Sequence, residues 1–192
     1  RCIDYAVVRE VAQQQLGLET LPALRFIPKD VLGLRILINS RNVPLGDIET
    51  GHLTDFTYAF SVYLNNNVQE NTRKDFSGIE HWDTSKVENM TGTFAGCVNF
   101  NQDISSWDVS RVKKTDVMFA TCRKFNQPLN TWKFGVLESM KGMFYKCESF
   151  NQDLSAWETS HVKDMAYAFC ECRHFNRDLS RWSPARVEHD EA

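Results

Sequence analysis

The 192-residue chain carries 22 basic and 25 acidic side chains, a formal net charge of −3. That length holds one domain with a sizeable core, and the charge balance lacks the basic excess that nucleic acid or an anionic membrane surface attracts. No apolar run approaches the ~20 residues needed to span a bilayer.

In chain order, the first feature is the start at Arg1 rather than methionine, read as a processed form or a fragment. Its compartment stays open between a cell-surface or extracellular setting and an organellar complex. Residues 1–41 are expected to form an N-terminal cap of helix plus strand. Ile3, Val7 and Val11 share one helical face, Gly17 stops that helix, and Leu34 to Ile38 reads as strand-like.

A divergent repeat begins at Asn42. Asn42 to Leu53 aligns with Asn151 to Val162, with Leu45 in the place of Leu154, Ile48 replacing Trp157 and Leu53 replacing Val162. Phe56 and Phe60 follow in the places of Met165 and Phe169. From Phe60 to Phe94 is 34 residues, nine more than the later period of 25, and the excess falls at 61–74. That stretch is polar, includes Asn65, Asn66 and Asn67, and is expected to protrude as a loop.

The five tryptophans of the chain, Trp82, Trp107, Trp132, Trp157 and Trp182, then stand 25 residues apart. Other columns keep step. Ile79, Ile104, Leu129, Leu154 and Leu179 precede them, and Val87, Val112, Leu137, Val162 and Val187 follow. Met90, Thr115, Met140 and Met165 come next, then Phe94, Phe119, Phe144 and Phe169. Phe100, Phe125, Phe150 and Phe175 close the unit, each followed by asparagine. A period of this size marks stacked supersecondary units.

Two periodicities alternate within one unit. Ile104-x-x-Trp107-x-Val109 has the form of a short strand in a leucine-rich repeat, while Val87, Met90, Phe94 and Cys97 make the stripe of a short helix. The expected class is therefore an α/β repeat solenoid. It would be an LRR-like coil of five to six 25-residue turns over 42–192, with one short strand and one short helix per turn, preceded by the helical cap.

Cys97, Cys122, Cys147 and Cys172 share the period in Phe-x-x-Cys motifs, a spacing that suits buried apolar thiols better than a zinc site. Cys170-Glu171-Cys172 is a single C-x-C, and Cys2 is unplaced. The Asp103, Asp153 and Asp178 column invites a calcium reading. Pro128 breaks it and no glycine-rich ligand loop accompanies it, so corner hydrogen bonds are the better account. No metal and no cofactor are expected.

If Trp107 and Val109 point inward, the residues between them point out. That column, Asp83, Asp108, Lys133, Glu158 and Ser183, is the candidate partner-binding stripe, weighed against the ordinary polarity of any outward face. Trp182 joins it as a candidate at the C-terminal end. No cap is evident there, and a partner covering Phe175, Leu179, Trp182 and Val187 would bury what the sequence leaves bare. His52, His81, His161, His174 and His189 align with no nucleophile or carboxylate, and the chain carries no G-x-S-x-G, H-E-x-x-H or P-loop motif. No catalytic residue is assigned and an enzyme is not expected.

The recurring F-N-Q-D-[IL]-S-x-W-[DE]-x-S-x-V-x-x-M-x-x-x-F-x-x-C unit resembles the 25-residue repeat of BspA-like leucine-rich surface proteins, the version found in mycoplasma lipoproteins and in marine algae and other protists. The resemblance runs from about Asn42 to Val187, with four good copies and the divergent one. Departures are Thr115 for methionine, Lys133-Phe134-Gly135 for Asp-Val-Ser, and a missing phenylalanine near Asp75. Residues 1–41 lie outside it. What it implies is a surface-attachment or protein–protein module with no catalytic residues to carry over. The expected function is a non-enzymatic interaction or scaffolding subunit of a larger assembly. The partner would sit at the strand face, the 61–74 loop or the C-terminal end. The alternative is a cell-surface adhesin or carbohydrate binder.

Overall fold

The computed structural model describes residues 25–40, 43–64 and 67–185. The helix expected over 3–16 and the Val187 position lie outside them. Among the described residues there are one α-helix, α1 (Val31–Asn39), two single-turn 3-10 helices (Leu45–Asp47 and Ile79–His81) and one antiparallel pair, β1 (Val62–Leu64) with β2 (Asn67–Gln69).

This overturns the α/β solenoid. No 25-residue unit contains the expected strand, and the stripe from Val87 to Cys97 is not a helix but a run of tight turns. The strand expected over 34–38 is also wrong, since those residues lie within α1. Asp30 caps that helix, its Oδ1 accepting the Gly33 N–H at 2.9 Å, and the buried pair Leu34 and Ile38 is spaced for one helical face. A five-residue stretch with four apolar residues does not by itself distinguish the two.

What replaces the helix can be followed bond by bond. The N–H groups of Met90, Gly92, Phe94 and Gly96 donate to the carbonyls of Lys114, Asp116, Met118 and Ala120, one repeat on. The N–H groups between them turn back: Thr93 donates to Met90, Ala95 to Gly92 and Cys97 to Phe94. Every backbone donor of the segment is thus used, half locally and half across repeats. The scheme recurs from Thr115, Val117, Phe119 and Thr121 to the carbonyls of Ser139, Lys141, Met143 and Tyr145, and again from Met140, Gly142, Phe144 and Lys146. Single parallel bridges join Asp55, Asn89, Lys114, Ser139 and Asp164 in series.

Alternate turns of the run carry a positive φ at their third residue, as in a type II turn. Gly92 and Gly96 supply it at 61° and 81°, but Val117, Thr121, Lys146, Tyr167 and Glu171 adopt it as well. Tertiary bonding therefore holds side-chain-bearing residues, two of them β-branched, where the bare chain rarely goes. At Gly96 there is a second constraint. A Cβ would stand 2.4 Å from the Gln69 carbonyl oxygen, because the 61–74 segment returns as the β1–β2 hairpin and lies against this point. Asn71 then bridges to Cys97 and donates to Gly96.

The core is a stack of rings. Phe94, Phe119 and Phe144 are fully buried and nearly parallel, with centroids 5.8 and 5.5 Å apart. Phe100, Phe125 and Phe150 form a second row at 5.3 and 5.7 Å. The phenylalanine missing near Asp75 is replaced by Phe76 one residue later, which meets Phe100 edge-on at 4.9 Å. Each buried indole donates to the repeat before it: Trp107 Nε1 to the Ile79 carbonyl at 2.8 Å, Trp132 to Ile104 at 3.1 Å and Trp157 to Leu129 at 2.9 Å. No cost of an unpaired buried polar group arises.

Arg73 ties the hairpin to α1. It donates from Nη1 to the Ile38 carbonyl at 2.8 Å and lies over the Phe60 and Phe76 rings. Truncating a ring at the centre of the stack leaves a cavity that neighbouring layers cannot close. Phe144→Ala is expected to cost ~3–5 kcal/mol, and an unchanged melting temperature would contradict its place in the core.

Candidate interaction surface

Two kinds of periodic side chain remain to be placed, the thiols and the outward polar column. Cys97, Cys122 and Cys147 are fully buried, and Cys172 is buried at the edge of the stack. Each Sγ faces a phenylalanine carbonyl of the preceding repeat: Cys122 to Phe94 at 3.1 Å, Cys147 to Phe119 at 2.9 Å and Cys172 to Phe144 at 2.7 Å. Burial pushes the Cys97 thiol up to about 12 and the Cys172 thiol to about 11, and holds Cys122 and Cys147 well above the usual range. These are weak donors with no access to a nucleophile's role. Among the described cysteines Cys170 alone is exposed. A native-state alkylating reagent is therefore expected to modify Cys170 long before Cys97, Cys122 or Cys147, and mass spectrometry of the labelled protein would show any reversal of that order.

The outward column stands where the alternation placed it, although the backbone beneath it is not a strand. Asp83, Asp108, Lys133 and Glu158 are exposed, while the residues after them, Thr84, Val109, Phe134 and Thr159, are buried. Lys133-Phe134-Gly135 departs from the repeat for a reason. Phe134 fills the inward site and meets the Trp157 ring edge-on at 4.9 Å, while Gly135 runs so close to the preceding repeat that a Cβ would lie 2.9 Å from the Ser110 carbonyl oxygen.

The acids of the column also have local work, which the sequence reading missed. Asp83 accepts the Ser85 N–H at 3.0 Å, Asp108 the Ser110 N–H at 2.9 Å and Glu158 the Ser160 N–H at 2.9 Å. The Asp-x-Ser spacing was the available signal, since a carboxylate readily bonds the backbone two residues on. Asp103, Asp153 and Asp178 do the same for Ser105, Ser155 and Ser180. Beside them an asparagine ladder climbs the stack, Asn126 N–H to Asn101 Oδ1 at 2.9 Å and Asn151 N–H to Asn126 Oδ1 at 3.0 Å.

Trp182 is half-buried. It stacks on Trp157 at 6.2 Å on one side, and its Nε1 donates to the Leu154 carbonyl at 2.9 Å. It directly precedes Ser183, the last member of the column, so the first four candidates are exposed on successive repeats and the fifth lies at the end of the stack. Among the histidines, His52 Nε2 pairs with the Pro28 carbonyl at 2.6 Å and His174 Nδ1 with the Glu148 carbonyl at 2.5 Å.

Accepting a backbone N–H holds the carboxyls of Asp83, Asp153, Glu158 and Asp178 below the usual carboxylate range. A depressed folded-state value means stability that is present above pH ~4 and lost as the pH falls through the folded values. The melting temperature is thus expected to drop between about pH 4 and pH 2. Asp153→Asn keeps an oxygen acceptor and should flatten that acid limb, whereas Asp153→Ala should lower stability at neutral pH too; identical acid limbs in all three proteins would refute the assignment.

No helix among the described residues is long and apolar enough to cross a membrane, and no group of three or more His, Cys, Asp or Glu residues there could hold a metal ion. Comparison with curated proteins and with solved structures finds no match. Residues 60–182, more than half of the chain, match the family described as "Mycoplasma protein of unknown function, DUF285", and the chain belongs to that family.

Proposed function

We propose that the protein is a non-enzymatic interaction or structural module, an accessory subunit that presents its exposed column to another protein. One observation carries this reading. Asp83, Asp108, Lys133 and Glu158 project from successive repeats whose backbones are bonded to one another, so their charges are held at a fixed rise on a rigid support. Each acid keeps one oxygen in its own turn, which immobilises the side chain and lowers the entropy lost on docking. A partner suited to the column offers basic groups opposite the three acids and an acid opposite Lys133.

Surface attachment is the second reading. It is supported by the likeness of the repeat to those of BspA-like surface proteins, and the matching mycoplasma family is in keeping with that likeness. A sugar platform gains less support, because Trp82, Trp107, Trp132 and Trp157 are buried.

The native complex is the place to test the proposal. Asp83→Asn, Asp108→Asn and Glu158→Gln together strip the charge while leaving an oxygen for each turn. The triple variant is expected to melt near the wild type and to leave its native assembly at lower salt. A complex of unchanged size and unchanged salt resistance would remove the column from the interface.

A further inference from the structure

The corners after Trp82, Trp107 and Trp157 share a pattern. An acid stands directly after the tryptophan and a base three residues later: Asp83 and Lys86, Asp108 and Arg111, Glu158 and His161. Each acid accepts the N–H of the serine between them. The turn then closes when the N–H of Val87, Val112 or Val162 donates to the carbonyl of Thr84, Val109 or Thr159. The Asp83 carboxyl, held down chiefly by the Ser85 N–H, also feels the Lys86 charge, and Glu158, held down chiefly by the Ser160 N–H, feels His161. Acid and base lie within one corner and offset each other.

The corner after Trp132 departs at each of these points. Lys133 stands for the acid and Val136 for the base. An ammonium cannot accept an amide proton, and the Gly135 N–H goes instead to the Ser110 carbonyl of the preceding repeat at 3.3 Å. The closing bond is missing too, so among the described residues the Leu137 N–H and the Phe134 carbonyl lack the partners that their equivalents have. No hydrogen bond or ion pair among the described residues holds the Lys133 ammonium, and Val136 is 41% exposed. The other large apolar side chains exposed among the described residues are Ile27, Leu32, Ile36, Val68 and Tyr167, none of them on this face of the inner repeats.

A single exposed valine is ordinary on a protein surface. Here it coincides with a cation that has no acid in its own corner, a turn without its closing bond and a glycine that leaves the backbone between them bare. Packing accounts for Phe134, which meets the Trp157 ring, and for Gly135, which runs against Ser110. It does not account for Lys133 or Val136, whose side chains are exposed.

We propose that this corner is a docking site for a peptide segment of a partner protein that carries a carboxylate next to an apolar side chain. The proposal rests on the interaction-module reading and names the partner's chemistry at one point of the column. Lys133 takes the carboxylate in a charge-assisted pair, and Val136 takes the apolar group beside the bare Gly135 backbone. The peptide's own amide meets the open turn at Phe134 and Leu137. Charge complementarity decides for this occupant. A phosphate-rich polymer would meet Asp108 and Glu158 in the column on either side of Lys133, which favours a single carboxylate over a polyanion.

The test uses the whole protein, isotope-labelled, and the capped tetrapeptide acetyl-Ala-Glu-Leu-Ala-amide. Amide shifts are followed to about 10 mM peptide, beyond the ~1 mM dissociation constant suited to so small a contact. Saturating shifts are expected at Gly135, Val136 and Leu137. Replacing the peptide's Glu by Gln, or its Leu by Ser, should weaken them on the order of tenfold. Lys133→Glu with Val136→Lys gives this corner the acid and base of its neighbours. That protein is expected to melt near the wild type and to bind the peptide about tenfold more weakly. No saturating shift at the three amides, equal shifts with the Gln peptide, or unchanged binding by the double variant would overturn the proposal. So would sedimentation of the protein alone as a dimer that the two substitutions dissolve, which would give the corner to a second copy of this chain. If the peptide fails while the Asp83→Asn, Asp108→Asn, Glu158→Gln protein still leaves its native assembly at lower salt, the exposed-column reading stands and this corner is withdrawn from it.

Discussion

The constraint on which the structure depends is the division of backbone donors in the turn-rich segment of each repeat. Alternate N–H groups close turns inside the repeat and the others reach the next one, as Met90, Gly92, Phe94 and Gly96 do. A buried backbone group left unpaired costs free energy comparable to a lost hydrogen bond, so neither half of the scheme can be dropped alone. It also explains why non-glycine residues such as Val117 and Lys146 are held at positive φ. A local preference of ~1–2 kcal/mol is overruled by bonds that recur in every layer.

The side chains follow the same rule of reaching one repeat over. Indoles, thiols and asparagine oxygens each find a partner in the neighbouring layer, and the described residues leave no buried side-chain nitrogen or oxygen without one. The rings between them stack nearly parallel, which removes large apolar areas from water and adds offset-stacking contacts. Most residue types in the repeat are thereby committed to the fold. What is left for recognition is small: the outward charges of Asp83, Asp108, Lys133 and Glu158. The interaction reading grows from that remainder and not from any reactive group.

Much of the packing was legible in the chain. The columns headed by Ile79, Trp82, Val87, Phe94, Cys97 and Phe100 are buried through Val162 as their spacing implied, with Phe169, Phe175, Leu179 and Trp182 partly so, and Asp83, Asp108, Lys133 and Glu158 face out. The secondary structure was not. The stripe Val87, Met90, Phe94 and Cys97 fits a helix, yet it fits equally a row of turns whose inward positions recur at the same intervals. Gly92, Gly96 and Gly142 were the available warning, since glycine weakens a helix and favours positive φ. The same ambiguity turned Leu34 to Ile38 into an expected strand, where Asp30 and the Leu34–Ile38 spacing make a helix.

The sequence by itself determined which side chains are inside, which are outside and which repeat each belongs to, because burial is set by side-chain chemistry and the 25-residue period carries that chemistry in full. Only the tertiary structure decided where the backbone hydrogen bonds go. A pattern of apolar residues says which way side chains point. It does not say whether an N–H finds its acceptor four residues back or in the neighbouring layer, and that choice exists only once the layers lie side by side.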